Sequence, residues 1–473
     1  MVKTTRKLHK QIGLVAGLFL FVLSFTGFFL DHDDFDFLWN IKIQSSFLPA
    51  GVVKKINRSY EAYKINPKNR SHIIIGSRSG IYTSLDSGKT FLHTLNAQVF
   101  SIEPARHNFM ENFDTLFVAT SNGVYKSSNK GKNWKLLSLK NNLVNAISVW
   151  NNFIYAVVNK KEIYKINIHT QKFEKLNWEK ITYKELPKKI TLSRFVRDLH
   201  YGRGLFDGIL SLYINDFASL VMIFLIVSGI SFYFIFKKLK LKKKINKKYL
   251  KFFIKQHSSI LILITFIPIS ILLITGVILD HAKFFNPYLK NIKANIKYLP
   301  PVYSHLKSDI WGIDFDGQYF RIGNRLGVFK SKSLTNWKLD SEGFAYRIKR
   351  SDKNLLISGM GSPNRILLSD KWKVLKNTPH MPKDFFILNK KIYSASFRAN
   401  NNLPLPRLNK IPLALLFLAL HDGKFFSPNW VYVNDFIVLL TIVLFITGFI
   451  RWKQSRRHKL LKYLKQKIIK FNK

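Results

Sequence analysis

The sequence predicts a membrane protein with a four-helix bundle, formed by two parallel repeats of two spans, and an all-β outer domain. Three observations predict this fold: four apolar runs without a charged side chain, basic segments that alternate with them, and an internal repeat relating the two halves of the 473-residue chain. The outer domain is predicted to be a β-propeller of about six blades, shared by the two halves.

Four apolar runs approach the length that crosses a bilayer. They are Ile12 to Leu30, Phe217 to Phe236, Ile260 to Leu279 and Phe436 to Ile450. A hydrocarbon core of about 30 Å needs roughly 20 apolar residues. The fourth run is shorter and gains interfacial length from Trp430 and Trp452. No small-residue cleavage site follows the first run, which we therefore interpret as an uncleaved span rather than a signal peptide.

Basic residues set the predicted orientation. Lys and Arg crowd the N-terminus, the stretch Lys237–Lys244 and the tail after Arg451. Because such segments stay on the cytoplasmic side, both termini are predicted inside and the two long connections, 31–216 and 280–435, outside. We therefore expect an integral membrane protein whose two long connections lie on the side opposite to the cytoplasm. The net charge of +49 might suggest a nucleic-acid partner. Because the basic residues crowd the predicted cytoplasmic segments beside the spans, we infer no such partner.

The predicted organisation follows from these runs. It consists of 1–32 as tail and first span, 33–198 as first outer β segment, 199–236 as outer histidine motif and second span, 237–256 as basic cytoplasmic loop, 257–281 as third span, 282–419 as second outer β segment, 420–452 as outer histidine motif and fourth span, and 453–473 as basic tail.

Short motifs recur in the same order in both halves. Thr26-Gly27 and Asp31-His32 at the end of the first span match Thr275-Gly276 and Asp280-His281 at the end of the third; Leu199-His200-Tyr201-Gly202-Arg203 matches Leu420-His421-Asp422-Gly423-Lys424. With the opening Leu8, His9 and Gly13, these motifs resemble the PepSY-associated transmembrane family. That family includes inner-membrane ferric-siderophore reductases with b-type haem, so the resemblance implies haem and electron transfer. The outer segments contain no stretch resembling a PepSY domain.

The outer segments carry Asp-box turns instead. Ser84–Phe91 and Ser127–Trp134 both fit S-x-[DN]-x-G-x-x-[FW], and Gly327–Ser333 with Trp337 is a degraded copy. A spacing near 40 residues with several short strands is typical of propeller blades, which gives about three blades per segment. Asp-boxes also occur in sialidases, but no motif for a sialidase's arginine cluster or acid is present, which disfavours a glycosidase.

Histidines are the candidate ligands. The chain has no cysteine, which excludes thiolate-bound metals and c-type haem attachment. Equivalent imidazoles related by a two-fold axis face each other across it, as bis-histidine haem ligation requires. We expect His9 with His257 to bind one haem iron near the cytoplasm, and His200 with His421 to bind another near the outside. His32 and His281 are alternative outer ligands or ligands of a third haem.

Two basic residues follow the outer histidines. Arg203 and Lys424 are candidates to pair with haem propionates, although interfacial snorkelling explains them equally well.

The expected function is a haem-b electron carrier that resembles a ferric reductase. No dinucleotide fingerprint occurs in the cytoplasmic segments, so electrons are expected from quinol or a separate reductase. The expected acceptor is a ferric siderophore or a protein at the outer face. The alternative is a non-enzymatic membrane receptor or assembly factor that binds a partner through its propeller, with the histidines being only interfacial polar residues.

Overall fold

The computed structural model describes residues 2–32, 35–56, 60–179, 181, 188–203, 205–206, 210–240, 257, 261–300, 309–379, 381–389, 391–395, 403–427 and 429–471. Of the predicted basic loop 237–256, only residues 237–240 are among the described residues. The chain forms two compact units. One comprises Met1–Phe35, Val196–Phe285 and Ala414–Lys473, and the other Asp36–Phe195 and Asn286–Leu413.

The first unit is helical. The helices of the described residues are α1 Val2–Asp31, α2 Asp36–Asn40, α3 Ala50–Ile56, α4 Leu192–His200, α5 Leu210–Lys240, α6 Leu261–Asp280, α7 Ala282–Leu289, α8 Leu413–His421 and α9 Val431–Phe471. Three of them have parts that are long and apolar enough to span a membrane, namely Thr4–Asp31, Leu210–Ile235 and Val431–Gln454. The fourth candidate is α6 with α7, which bend by 98° at their junction.

The four long helices pack around a common apolar core. Helix α1 contacts α5 and α9, and α6 contacts the same two helices. Ala16, Met222, Ile269 and Ile437, one from each helix, are all less than a tenth exposed in this core. The last helix continues to Phe471, so the predicted basic tail at 453–473 is helical over most of its length. Its Lys, Leu and Gln residues are good helix formers, and no Pro or Gly interrupts them.

The second unit consists of antiparallel sheets. Its strands are β1 Lys42–Gln44, β2 Ala62–Ile65, β3 Ile73–Ser77, β4 Gly80–Ser84, β5 Leu92–Leu95, β6 Val99–His107, β7 Met110–Thr120, β8 Gly123–Ser127, β9 Lys135–Ser138, β10 Val144–Trp150, β11 Phe153–Val158, β12 Glu162–Asn167, β13 Phe173–Leu176, β14 Lys189–Thr191, β15 Lys293–Asn295, β16 Gly312–Phe315, β17 Phe320–Gly323, β18 Gly327–Ser331, β19 Lys338–Glu342, β20 Ala345–Ser351, β21 Asn354–Gly359, β22 Arg365–Leu368, β23 Lys371–Val374, β24 Asp384–Leu388, β25 Lys391–Ala395 and β26 Lys410–Pro412.

Most strands form sheets of four in chain order. These sheets are β2–β5, β6–β9, β10–β13, β16–β19 and β20–β23, and β24 pairs with β25. The first strand of each sheet contacts the first strand of the next sheet, in the order β2, β6, β10, β16, β20, β24 and back to β2. Two small sheets, β1 with β26 and β14 with β15, each join one strand from each outer segment.

The two full Asp-box sequences form the same hydrogen-bonded turn. In the first, the Ser84 hydroxyl oxygen accepts from the Gly88 N–H at 2.8 Å, and the Asp86 carboxylate accepts from the Thr90 N–H at 3.0 Å. Ser127 and Asn129 accept in the same way in the second turn, at 3.0 and 2.9 Å. Gly88 and Gly131 have φ of 83° and 77°, which favours glycine over residues with a Cβ. The polar residues of the motif therefore stabilise the turn.

Buried ion pairs link the first outer segment to the second. Their residues lie in, or next to, the first strands of the sheets. Lys64 Nζ lies 3.2 Å from an Asp384 carboxylate oxygen, and Lys349 Nζ lies 2.8 Å from Glu103. Glu61 accepts a hydrogen bond from the Arg347 guanidinium at 2.7 Å. Because each pair joins residues of the first outer segment to residues of the second, neither segment completes this charge network alone.

Candidate functional site

Four histidines of the predicted motifs each hydrogen-bond a hydroxyl from the other half of the chain. The Nδ1–hydroxyl distances are 2.8 Å for His9 with Thr447, 3.0 Å for His200 with Thr275, 2.6 Å for His257 with Ser228 and 3.0 Å for His421 with Thr26. In every case the hydroxyl residue is followed by glycine. The same contact is thus made four times, twice by each half.

The hydroxyl contacts assign the histidine tautomer. The Thr26 hydroxyl donates its hydrogen to the Val22 carbonyl at 2.6 Å, and the Thr447 hydroxyl donates to Val443 at 2.8 Å. Thr275 and Ser228 donate to backbone carbonyls of their own helices in the same way. A hydroxyl has one hydrogen, so towards the histidine it accepts. This geometry favours the tautomer with the proton on Nδ1 and the lone pair on Nε2.

The glycine after each hydroxyl residue lies against the imidazole. A Cβ built on Gly27 would lie 3.1 Å from Cε1 of His421, which is closer than nearly all real Cβ contacts. On Gly276 and Gly448 the corresponding distance, to His200 and His9, would be 3.5 Å. Glycine therefore leaves room for the ring at the point where the hydroxyl anchors it, most strictly at Gly27.

The four histidines form two layers. The ring centres of His9 and His257 are 6.5 Å apart, with the rings nearly perpendicular at 85°. His9 and Thr26, the partner of His421, are 17 residues apart on α1, or about 25 Å of helix. The structure therefore brings His9 and His257 together at one end of the helices and holds His421 at the other.

Burial keeps the outer histidines neutral. It lowers the pKa of His200 to about 4, and the nearby His421 lowers it further as a second cause. Burial also lowers the pKa of His421, against a smaller opposing effect of Asp422. Since neutral imidazole is the form that binds a metal, both residues are in the ligating state at neutral pH.

His32 and His281 make a different contact. Nε2 of His32 lies 3.0 Å from a carboxylate oxygen of Asp216, and Nε2 of His281 lies 2.7 Å from Asp435. The adjacent Asp31 and Asp280 accept hydrogen bonds from Asn215 and Asn434, at 3.2 and 3.3 Å. These reciprocal pairs tie the outer end of one helix to the start of the next. An iron bond through either Nε2 would have to displace a carboxylate.

The two basic candidates lie beside carboxylates. Lys424 Nζ is 2.5 Å from Asp422 and is half exposed. The Arg203 backbone N–H donates to the Asp198 carbonyl at 2.8 Å, and its side chain is within electrostatic range of Asp31. The structure thus places both residues shortly after the ends of helices, close to acidic groups of the protein.

The sequence prediction missed the hydroxyl residues as partners of the histidines. In the sequence, Thr26 and Thr275 serve only as markers of the repeat. The signal was present, because a hydroxyl residue followed by glycine occurs in each of the four apolar runs. What the sequence alone did not show is which histidine meets which hydroxyl.

Comparison with known proteins identifies one family. The model of the PepSY-associated TM region matches residues 155–455, which is more than half of the chain. No curated protein matches the sequence significantly.

Three solved structures show weak similarity to this chain. An ancestral GH74 enzyme matches 69% of this chain and 32% of its own, with 10% identity and a TM-score of 0.31. YCF48 from Cyanidioschyzon merolae matches 67% of each chain, with 12% identity and a TM-score of 0.29. The N-terminal domain of Nup159 matches 29% of this chain and 38% of its own, with 15% identity and a TM-score of 0.20. The chain thus spans about a third of the GH74 enzyme, and similarities this weak assign no activity.

Proposed function

Because this chain belongs to the PepSY-associated transmembrane family, we propose that it is a haem-b electron carrier of the bacterial inner membrane. The observation that supports this most is the fourfold histidine–hydroxyl contact, which leaves every Nε2 available as a ligand. A haem bound there would supply reversible one-electron chemistry at its iron. The protein's part is to fix the tautomer and direction of each imidazole.

The inner pair has the spacing that a shared iron needs. Two imidazoles bound on opposite sides of one metal, with bonds of about 2 Å, place their ring centres roughly 6 Å apart. The observed separation of His9 and His257 is 6.5 Å. We assign this pair to one haem, and His200 with His421 to a second.

The positions of the two layers suggest a direction of transfer. A helix length of about 25 Å between His9 and Thr26 covers most of a hydrocarbon core of about 30 Å. Electrons would enter from the cytoplasmic side or from quinol and leave to an acceptor outside, with a ferric siderophore or a protein as the candidates. In this scheme burial, which lowers the pKa of both His200 and His421, keeps both outer ligands deprotonated at Nε2.

The scheme requires four spans and cytoplasmic termini. The mutual contacts of α1, α5, α6 and α9 support a four-helix bundle with two parallel repeats. Reporter fusions after Lys244 and at Lys473 should report the cytoplasm, and fusions near Asn129 and Asn336 the periplasm. A cytoplasmic Asn129 would contradict the arrangement.

The second unit, Asp36–Phe195 with Asn286–Leu413, is proposed to be one six-bladed propeller and is called the outer unit below. The circular order of contacts among β2, β6, β10, β16, β20 and β24 supports a ring with three blades from each outer segment.

A fragment of residues 31–211 tests this shared ring. Without β16 to β25 the fragment loses the partners of Glu61, Lys64 and Glu103 and exposes strand edges. It should therefore aggregate in size-exclusion chromatography, whereas a stable, folded monomer would argue against a shared ring.

The absorption spectrum of the purified protein tests the proposed function. Bis-histidine haem should give a Soret band and resolved α and β bands after reduction. A protein that stays colourless after expression with sufficient haem would favour the alternative, a receptor or assembly factor that binds a partner through its propeller.

A further inference from the structure

A second internal repeat follows the first and third spans. Residues 37–49 read FLWNIKIQSSFLP and residues 288–300 read YLKNIKANIKYLP. Both copies fold alike, because the short strands β1 and β15 are each followed by a 3₁₀ turn, Ser45–Phe47 and Ile296–Tyr298. A leucine and a proline end both copies.

Three apolar positions that the two copies share are exposed in both, whereas the shared Leu38 is buried. Tyr298 is 80% exposed and Phe47 is 78% exposed, the highest values among large hydrophobic side chains of the described chain. Two further equivalent pairs are also exposed: Phe37 at 43% with Tyr288 at 63%, and Ile41 at 50% with Ile292 at 52%. Exposed apolar groups at three matched positions indicate a surface that meets something apolar.

The distance along the chain to the membrane limits what that surface meets. Phe37 is six residues beyond the end of α1, a reach of at most about 21 Å even when fully extended. Tyr288 lies on α7, which starts two residues after the end of α6 and is only about 12 Å long. Both copies therefore begin close to the bilayer surface.

The direction of α7 agrees with this location. It turns by 98° from α6, so where α6 crosses the bilayer α7 runs along its plane. Phe284 and Tyr288 of α7 are 65% and 63% exposed. Lys290, Lys293 and Lys297 lie between Tyr288 and Tyr298, and aromatic rings with lysines are typical of the headgroup region.

We propose that residues 37–47 and 288–298 are a pair of lipid-interface anchors, whose exposed aromatic and isoleucine side chains contact the outer leaflet at the boundary of headgroups and acyl chains. Two equivalent copies give two contacts with the same surface. The occupant is lipid itself, so these contacts require no partner protein and no haem.

Spin labels test the anchors directly, because the chain has no cysteine and single-cysteine variants need no other change. Phe47→Cys and Tyr298→Cys would be labelled with a nitroxide in the full-length protein and reconstituted into phosphatidylcholine–phosphatidylglycerol vesicles. Phe173→Cys on β13 is the matched control, since Phe173 is also exposed, at 54%, but lies outside both copies.

Collision with oxygen, which concentrates in lipid, is then compared with collision with a water-soluble nickel chelate. At 47 and 298 the oxygen-to-nickel ratio should be several-fold higher than at 173, and brominated lipids should quench a fluorophore attached there. Labels at 47 and 298 that are as accessible to nickel as the control would overturn the proposal and leave a protein partner as the occupant of this surface.

Discussion

Replacing His9 or His257 by alanine is expected to remove the same low-spin haem signal. If both imidazoles hold the same haem iron, as proposed, losing either ligand would convert or release that haem, and the double variant should resemble the single ones. His200→Ala and His421→Ala should do the same to the second haem. The measurement is the reduced-minus-oxidised spectrum, with haem content per protein.

The hydroxyl partners provide the control for this series. Thr447→Ser retains an acceptor for His9 Nδ1, whereas Thr447→Val removes it and leaves a buried N–H without this partner. The valine variant should shift the midpoint potential or lower haem occupancy, and the serine variant should behave like the parent protein.

In the proposed scheme, His32 and His281 are not haem ligands. Because their Nε2 atoms are engaged by Asp216 and Asp435, alanine at either position should leave both low-spin signals in place. If His32→Ala and His281→Ala remove the outer haem while His200→Ala and His421→Ala do not, the outer assignment is wrong. If one residue of a pair is lost and its haem stays low-spin, the pairing is wrong.

The second large effect is expected at Glu61. Its carboxylate contacts the Arg347 guanidinium at 2.7 Å and Lys383 Nζ at 3.0 Å, and all three groups are largely buried. Glu61→Ala leaves Arg347, Lys383 and the more distant Arg78 without this anion, which should lower the free energy of unfolding of the outer unit by about 3–5 kcal/mol. Denaturant unfolding followed by tryptophan fluorescence would measure this.

An exposed ion pair supplies the comparison. Glu162 and Lys175 also lie within hydrogen-bonding distance, but at the protein surface, where water screens the pair. Glu162→Ala should therefore leave unfolding nearly unchanged. Equal effects of the two substitutions on the free energy of unfolding would mean that the buried network stabilises the protein no more than an exposed ion pair does.

Acid should weaken the same network. Burial raises the pKa of Glu61, but Lys383, Arg347 and Arg78 together outweigh it and lower the pKa to about 2. An unfolded glutamate has a pKa of about 4.3, so the stabilisation is complete above that pH and is lost as the pH falls towards 2. In the Glu61→Ala variant this part of the acid dependence should disappear.

The sequence alone determined the features that depend on composition along the chain. The apolar runs predicted the spans, since an uncharged run of about 20 residues is stable only in lipid or a dry core; three of the four predicted runs lie in helices that meet the criterion without a bend. The recurring motifs predicted the family, which the match over residues 155–455 confirms. Asp-boxes predicted antiparallel sheets because their turn is a local structure.

Only the tertiary structure decided which distant residues meet. His421 contacts Thr26 across 395 positions of sequence, and Lys64 contacts Asp384 across 320. Neither pairing has a sequence signal, because a side chain's partner depends on how helices and strands pack rather than on its neighbours in the chain. The same holds for His32 and His281, whose motif resembles a ligand motif until packing places a carboxylate against Nε2.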